Sequence, residues 1–181
     1  MAKKSSAHTL EYILLGLIQE RPAHGYALYE RLLMTPELAH IWQVKRGKLY
    51  YLLEKLESDG LLSVTVSSQG PYPDRKVYQL TPQGNESLEI WLHSPVLSSR
   101  YVRLAFLSKL YFVLQENRET AADLINQQIE ICQGWLQNLQ QQQQSLQKGE
   151  FITSQVFLFR IGQIQAMLEW LRNCRETIPD Q

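Results

Sequence analysis

Residues 45–84 read KRGKLYYLLEKLESDGLLSVTVSSQGPYPDRKVYQLTPQG, and this stretch decides the fold. Leu49, Leu52, Leu53 and Leu56 fall at helical spacing and make one apolar face. Gly60 stands just past the last turn, where a left-handed C-cap residue belongs. Residues 61–66 and 76–80 are rich in Val, Leu and Tyr and have strand character. Between them, residues 67–74 carry two prolines and a glycine, as the polar tip of a hairpin would. Thr81-Pro82 then opens another helix, with Thr81 as its cap. A helix backed by a β-hairpin, with cations at both tips, is the winged helix-turn-helix arrangement for gripping duplex DNA.

The flanking sequence supplies the rest of such a module. Residues 9–20 form a first helix with Leu10, Ile13, Leu14, Leu17 and Ile18 inward, and Pro22 stops it. His24-Gly25-Tyr26 opens a second helix to residue 34, with Tyr26, Leu28, Tyr29, Leu32 and Leu33 as packing residues. Thr35-Pro36 and a loop end it, and Trp42 plugs the core ahead of the third helix. The helix opened at Thr81 continues through Leu88, Ile90, Trp91 and Leu92 until His93-Ser94-Pro95 breaks it. Residues 1–93 are therefore expected to be a winged helix-turn-helix domain, and residues 94–100 a linker.

Residues 101–181 change to helix formers without strand signal. Residues 101–115 read as one helix with Leu104, Leu107, Leu110, Tyr111 and Leu114 on one side. Thr120 with Asp123 resembles a capping box opening a long helix. In that helix Ile125, Ile129, Cys132, Leu136, Leu139, Gln143 and Leu146 alternate steps of four and three. Lys148-Gly149-Glu150 turns the chain, and Phe157, Ile161, Ile164, Leu168 and Leu171 repeat the spacing on the way back. The expected fold is mainly α with a small β-hairpin wing, the C-terminal part being an antiparallel helical dimerisation domain. Phe151, Phe157, Phe159, Met167 and Trp170 exceed what two helices can bury, so a second subunit is expected through a C2 contact. Ile125, Ile129, Leu136, Leu139, Phe157, Ile161, Ile164, Leu168 and Leu171 are the dimerisation candidates.

Composition excludes several classes of function. An apolar share of 44% and a charged share of 20% are ordinary for a soluble globular protein. No apolar run approaches the roughly 20 residues needed to cross a bilayer. The lysines before the first apolar stretch imitate a signal peptide, but Glu11, Gln19 and Glu20 interrupt it, so a cytoplasmic location is expected. Cys132 and Cys174 lack metal-ligand spacing, and His8, His24, His40 and His93 read as scattered, so no metal or cofactor is expected. There is no P-loop, GxGxxG or nucleophile elbow, and no enzyme is expected.

Net charge is formally zero: residues 1–93 hold 10 basic and 10 acidic residues, the remainder 8 and 8. Binding to nucleic acid must therefore come from placement. Groove-reading helices contact DNA through their first turns. Lys45, Arg46, Gly47, Lys48 and Tyr51 are the contact candidates, with Tyr50 shared between core edge and phosphate. Lys3 and Lys4 in the tail are expected to add to a basic stripe that grips phosphates, and Arg75 and Lys76 at the wing to touch phosphates or the minor groove.

Leu14-Gly16-Leu17, His24-Gly25-Tyr26, then GKLYYLLEKLESDGLL and RKVYQLTPQG, in that order, resemble the PadR family of bacterial transcriptional regulators. Ile41-Trp42, Trp91-Leu92, Pro95-Val96 and Arg103 with FLSKLYF resemble its branch with a virulence-activator-like C-terminal domain. Lys48 departs from the small hydroxyl residue many relatives carry there. The resemblance implies a homodimer on a dyad-symmetric operator, usually repressing, and in some relatives released by a small aromatic effector. Trp91, Tyr101, Phe106, Trp135 and Trp170 would wall such a pocket. The competing readings are a protein-interaction adaptor using the winged module as a docking platform, and a sensor without DNA function.

Overall fold

A computed structural model describes residues 8–69, 72–146 and 150–179, without the side chains of 67–69 and 72–74. Lys3, Lys4 and the turn at Lys148-Gly149 lie outside the described residues. Helix α1 (Thr9–Glu20) is the hub of the N-terminal half, because apolar residues run most of the way round it. Ile13, Leu14, Leu15, Leu17 and Ile18 are all buried. A helix of that kind has to be covered on several sides. Helices α2 (Gly25–Met34), α4 (Arg46–Ser58), α5 (Pro82–Leu92) and α6 (Leu107–Glu116) do so.

Helix α2 opens on His24, whose Nδ1 accepts from the Ala27 amide at 3.1 Å. Its buried stripe is narrow: Leu28 and Leu32 are covered and Tyr29 partly so. Tyr26 and Leu33, expected to pack, are 45% and 44% exposed, because α2 meets the core along one i, i+4 line only. Where a loop was expected after Thr35, the chain makes α3 (Pro36–Ile41). Thr35 serves both helices, its amide bonding Arg31 O at 3.0 Å and its carbonyl accepting from Ala39 N at 2.9 Å. Pro36 supplies the φ angle of a first helical turn. Trp42 is half-buried, as expected of a plug, and donates from Nε1 to Ser108 Oγ on α6 at 2.9 Å.

Helix α4 ends at a Schellman-type cap. Gly60 has φ +73°, its amide bonds Glu57 O at 3.1 Å, and the Leu61 amide bonds Leu56 O at 3.0 Å. The wing follows as β2 (Leu62–Gln69) and β3 (Tyr72–Leu80), an antiparallel pair irregular between Ser67 and Gln69. Both strands run on into the segment expected to be turn. A two-residue strand β1 (Ala23–His24), invisible to any periodicity, pairs with β3 and gives the sheet order β1-β3-β2. Thr81 caps α5 as expected, accepting from Gly84 N at 3.0 Å, and also donates to Gly60 O at 2.8 Å.

Residues 101–115 are not one regular helix. A 3₁₀ turn (Ser99–Tyr101) and a π turn (Val102–Phe106) precede α6. The expected inward face, Leu104, Leu107, Leu110, Tyr111 and Leu114, is only half-buried. Val102, Ala105, Phe106, Ser108, Lys109, Phe112 and Val113 are buried instead. The wider π turn shifts the phase, and α6 is gripped from two sides, by α1, α3 and α5 and by α7 (Arg118–Gln144). The Phe112 ring lies against Gly16 of α1.

Helix α7 (Arg118–Gln144) is capped by Asn117, whose Oδ1 accepts from Thr120 N at 2.8 Å. The start expected at Thr120 thus lies one turn too late, because the capping side chain is an Asn. Helix α8 (Phe151–Thr177) returns along α7 after a short connection. The segment before α6 is fastened to α7: Val96 is buried, and Gln128 accepts from its amide at 2.7 Å and donates to its carbonyl at 3.1 Å.

Candidate nucleic-acid interface

The first turn of α4 is Arg46, Gly47 and Lys48, with Lys45 as its N-cap, and all four residues are exposed. Lys45 makes no side-chain cap, so the helix begins on amides that point outward with no side-chain acceptor. Such an end attracts anions twice over, through its N–H groups and its dipole. A Cβ on Gly47 would meet nothing within 4 Å, so the surface there is open. Tyr51 follows one turn on, 57% exposed.

Aromatic faces hold these cations outward without neutralising them. The Arg46 guanidinium stands 5.4 Å and 5.3 Å from the ring centroids of Tyr26 and Tyr29 on α2, and Lys48 Nζ stands 4.7 Å from that of Tyr51. Among the described residues, no ion pair takes up Lys45, Arg46, Lys48 or Arg75. Lys55 is different: it donates hydrogen bonds to Asp59 and Glu11, both at 3.1 Å, which raise its pKa and hold it. Tyr26 and Tyr29 are part of this arrangement though they read from sequence as packing residues. The signal was available, since two tyrosines one turn apart precede an arginine-opened helix.

The wing cations sit differently from expectation. Because the strands run further than their apolar residues suggest, Arg75 and Lys76 stand within the ribbon, opposite Ser67 and Val66, and not at its tip. Lys76 Nζ lies 3.2 Å from Glu57 Oε2 on α4, which raises its pKa and takes up much of its charge. Arg75 remains exposed and, among the described residues, outside any ion pair. An open cleft of about 660 Å³ separates α2, α4 and β3, lined by Tyr26, Tyr50, Arg75 and Lys76 but also by Glu30 and Glu54. Glu30 hydrogen-bonds the Tyr26 hydroxyl and raises its pKa. Tyr50 leans over Gly25, where a Cβ would come within 2.6 Å of its ring.

The five aromatics expected to wall one pocket are split between separate surroundings. Trp91 is buried, stacked on Tyr12 of α1 with centroids 4.8 Å apart and planes at 3°. Phe106 and Trp170 meet edge to face at 5.9 Å between α6 and α8. Tyr101 is half-buried and packs against the core. Trp135 alone of the five lines a separate groove of about 360 Å³, with Leu97, Asn138, Arg160 and Gln163. The seam residues are largely spent within the chain. Ile125, Leu139, Ile161, Ile164, Leu168 and Leu171 are buried, while Ile129, Leu136 and Phe157 are half-covered. Apolar surface remains on α8 at Phe151, Ile152, Val156, Leu158 and Phe159.

Two features escaped the sequence. Lys109, 1% exposed, donates to Ser94 O at 2.5 Å and Ser94 Oγ at 3.2 Å, with its ammonium 4.9 Å over Trp91. Burial lowers its pKa to about 8. His93, read as isolated, lies with Glu89 one turn before it and Glu116 at the end of α6. The fold brings Glu116 there from 23 residues away, which no local spacing reveals.

The model of the transcriptional regulator PadR-like family matches residues 14–90, and that of the virulence activator alpha C-terminal family matches residues 102–178. The chain is 32% identical to the negative transcriptional regulator PadR of Bacillus subtilis over 133 residues, 72% of this chain and 71% of that one. It is 25% identical to the probable transcriptional regulator Rv1176c of Mycobacterium tuberculosis over 91 residues, 50% of this chain and 47% of that one. It is also similar to the crystal structure of Bacillus subtilis PadR in complex with operator DNA. That likeness has 26% identity and a TM-score of 0.45, and covers 94% of this chain and 99% of the other. Among the described residues, no helix is long and apolar enough to cross a membrane.

Proposed function

This chain belongs to the PadR-like family of transcriptional regulators, and from that premise we propose that it acts as a homodimer on a dyad-symmetric DNA operator. In this reading residues 1–93 are the DNA-binding part, residues 101–181 the dimerisation and effector part, and the work is done in the cytoplasm, on the genome. Helix α4 enters the major groove first turn foremost. Lys45, Arg46 and Lys48 meet phosphate and base edges there, Tyr51 lies along the groove wall, and Arg75 reaches the flanking backbone. The observation that carries the reading is the exposed start of α4, without a side-chain cap and with three cations that no ion pair takes up among the described residues. Net neutrality keeps non-specific attraction low, so discrimination falls to this one local cluster.

Repression is supported by the Bacillus relative, which is described as a negative regulator. The dimer is supported by α8: Ile152, Val156 and Phe159 recur at steps of four and three, offset from the stripe that faces α7. A small aromatic effector has the Trp135 groove as its candidate seat. Near-neutral charge favours the adaptor reading, in which the winged module docks a protein. Gel shifts on the gene's own upstream region separate the two, since an adaptor leaves that fragment unshifted. Lys48→Ala with Tyr51→Ala is expected to weaken specific binding by tenfold or more, at about 1–3 kcal/mol for each lost base contact, with an unchanged melting curve. Unaltered affinity would refute these contacts. Arg75→Ala is expected to lower the salt slope of log K by about 1.

A further inference from the structure

Glu89 and His93 stand one turn apart at the end of α5, and Glu116 closes α6 beside them. One ligand atom from each lies within 4.8 Å of the others. The imidazole is flanked by acceptors on both sides. Nδ1 is 2.9 Å from the Glu89 carbonyl, which can only accept, so Nδ1 carries a proton. Nε2 faces Glu116 Oε2 at 3.0 Å. A nitrogen lone pair aimed at a carboxylate is repulsive, so the arrangement holds only with a cation between the two, either a second proton or a metal ion. Metal-bound histidines are oriented in this way, with the far ring N–H on a backbone carbonyl. The Glu89 carboxylate is steered from outside as well: Gln19 on α1 donates to its Oε1 at 2.9 Å.

We propose that His93 Nε2, Glu89 and Glu116 form a binding site for a divalent d-block cation such as Zn²⁺, joining α5 to α6. One imidazole and two carboxylates suit Zn²⁺, Co²⁺ or Ni²⁺, whereas Ca²⁺ and Mg²⁺ favour oxygen ligands throughout. Three protein ligands leave a fourth position for water. The side chains are 42%, 40% and 35% exposed in chain order, so an ion reaches them without any opening of the fold. Helix α5 completes the winged module and α6 leads into the arm, so occupancy stiffens the joint between them.

The test uses the full-length, untagged protein with Zn²⁺ and Co²⁺ as probes. Calorimetry should give one ion per chain, and Co²⁺ should show d–d absorption of a low-coordinate nitrogen–oxygen site. His93→Gln and Glu116→Gln should each weaken binding about tenfold or more, while His40→Gln, at an exposed position of α3, should leave it unchanged. Saturating Zn²⁺ should raise the melting temperature of the parent chain and of H40Q, but not of H93Q. Melting without metal checks that both ligand variants are folded. Absence of saturable uptake, or H93Q binding as tightly as the parent, would overturn the proposal and leave a proton as the only cation on Nε2.

Discussion

Lys109 shows how far a single residue can stand from its sequence reading. In FLSKLYF the leucines and tyrosine draw the eye to the apolar side, and a lysine reads as the solvated one. The π turn and the double-sided packing of α6 put the ammonium indoors, where it lies over Trp91 and donates to Ser94. The indole Nε1 of Trp91 is the one buried side-chain polar atom without a partner among the described residues. Among the described residues no carboxylate pairs with it, and burial lowers the Lys109 pKa to about 8, against the usual 10.5. Between those two pH values the unfolded chain binds more protons than the folded one, so stability contributed by this group rises with pH. Relative to Lys109→Met, the parent chain is expected to gain up to about 3 kcal/mol as pH goes from 8 to 10.5. Urea unfolding of both proteins across that range measures it. Subtracting the two curves removes the other titrating groups, and a flat difference would mean that Lys109 is hydrated. By contrast, the exposure of Lys45, Arg46, Lys48 and Tyr51 was legible one by one, because the outer side of a leucine-backed helix follows from its period.

At the scale of elements, what could be read was what carries its own punctuation. Gly60 closes α4 with positive φ and Thr81-Pro82 opens α5, and both signals are chemical and local. Helix α3 and strand β1 are too short for periodicity, and β1 exists only because β3 lies alongside to accept it. The face of α6 depended on a helical irregularity that tertiary packing imposes. The junction of wing and α5 also sets a steric demand. A Cβ on Gly84 would lie 2.0 Å from the Leu61 carbonyl oxygen, a backbone atom that cannot move without shifting β2. Gly84→Ala is therefore expected to destabilise the fold by more than about 2 kcal/mol, in the range of severe core strain. Denaturant titration checks this, and a change within 0.5 kcal/mol would show that the junction is loose. Asn117→Ala removes the cap of α7 and is expected to cost about 1 kcal/mol, a smaller loss because that end is exposed.

For the whole molecule, zero net charge and a leftover apolar stripe have to be understood together. A neutral protein gains little from long-range attraction to DNA, so in the proposed dimer the fixed separation of two reading heads matters more. The heptads foretold the α7–α8 pair, and of the five surplus residues expected on it Phe151 and Phe159 are exposed while Phe157, Met167 and Trp170 are half-buried. Trp170 and Met167 are taken up by packing within the chain, whereas Phe159 stays 67% exposed. Ile152→Glu with Phe159→Glu is expected to shift sedimentation from dimer to monomer while leaving helicity unchanged. The same variant should bind a half-site and lose cooperative binding to the full operator.

Hydroxyl-radical footprinting on the gene's upstream region tests the central claim directly. Two protected patches on one face of the duplex are expected, about 34–36 Å apart, with both vanishing in the Lys48→Ala, Tyr51→Ala variant. A single patch, or protection that survives that variant, would contradict it.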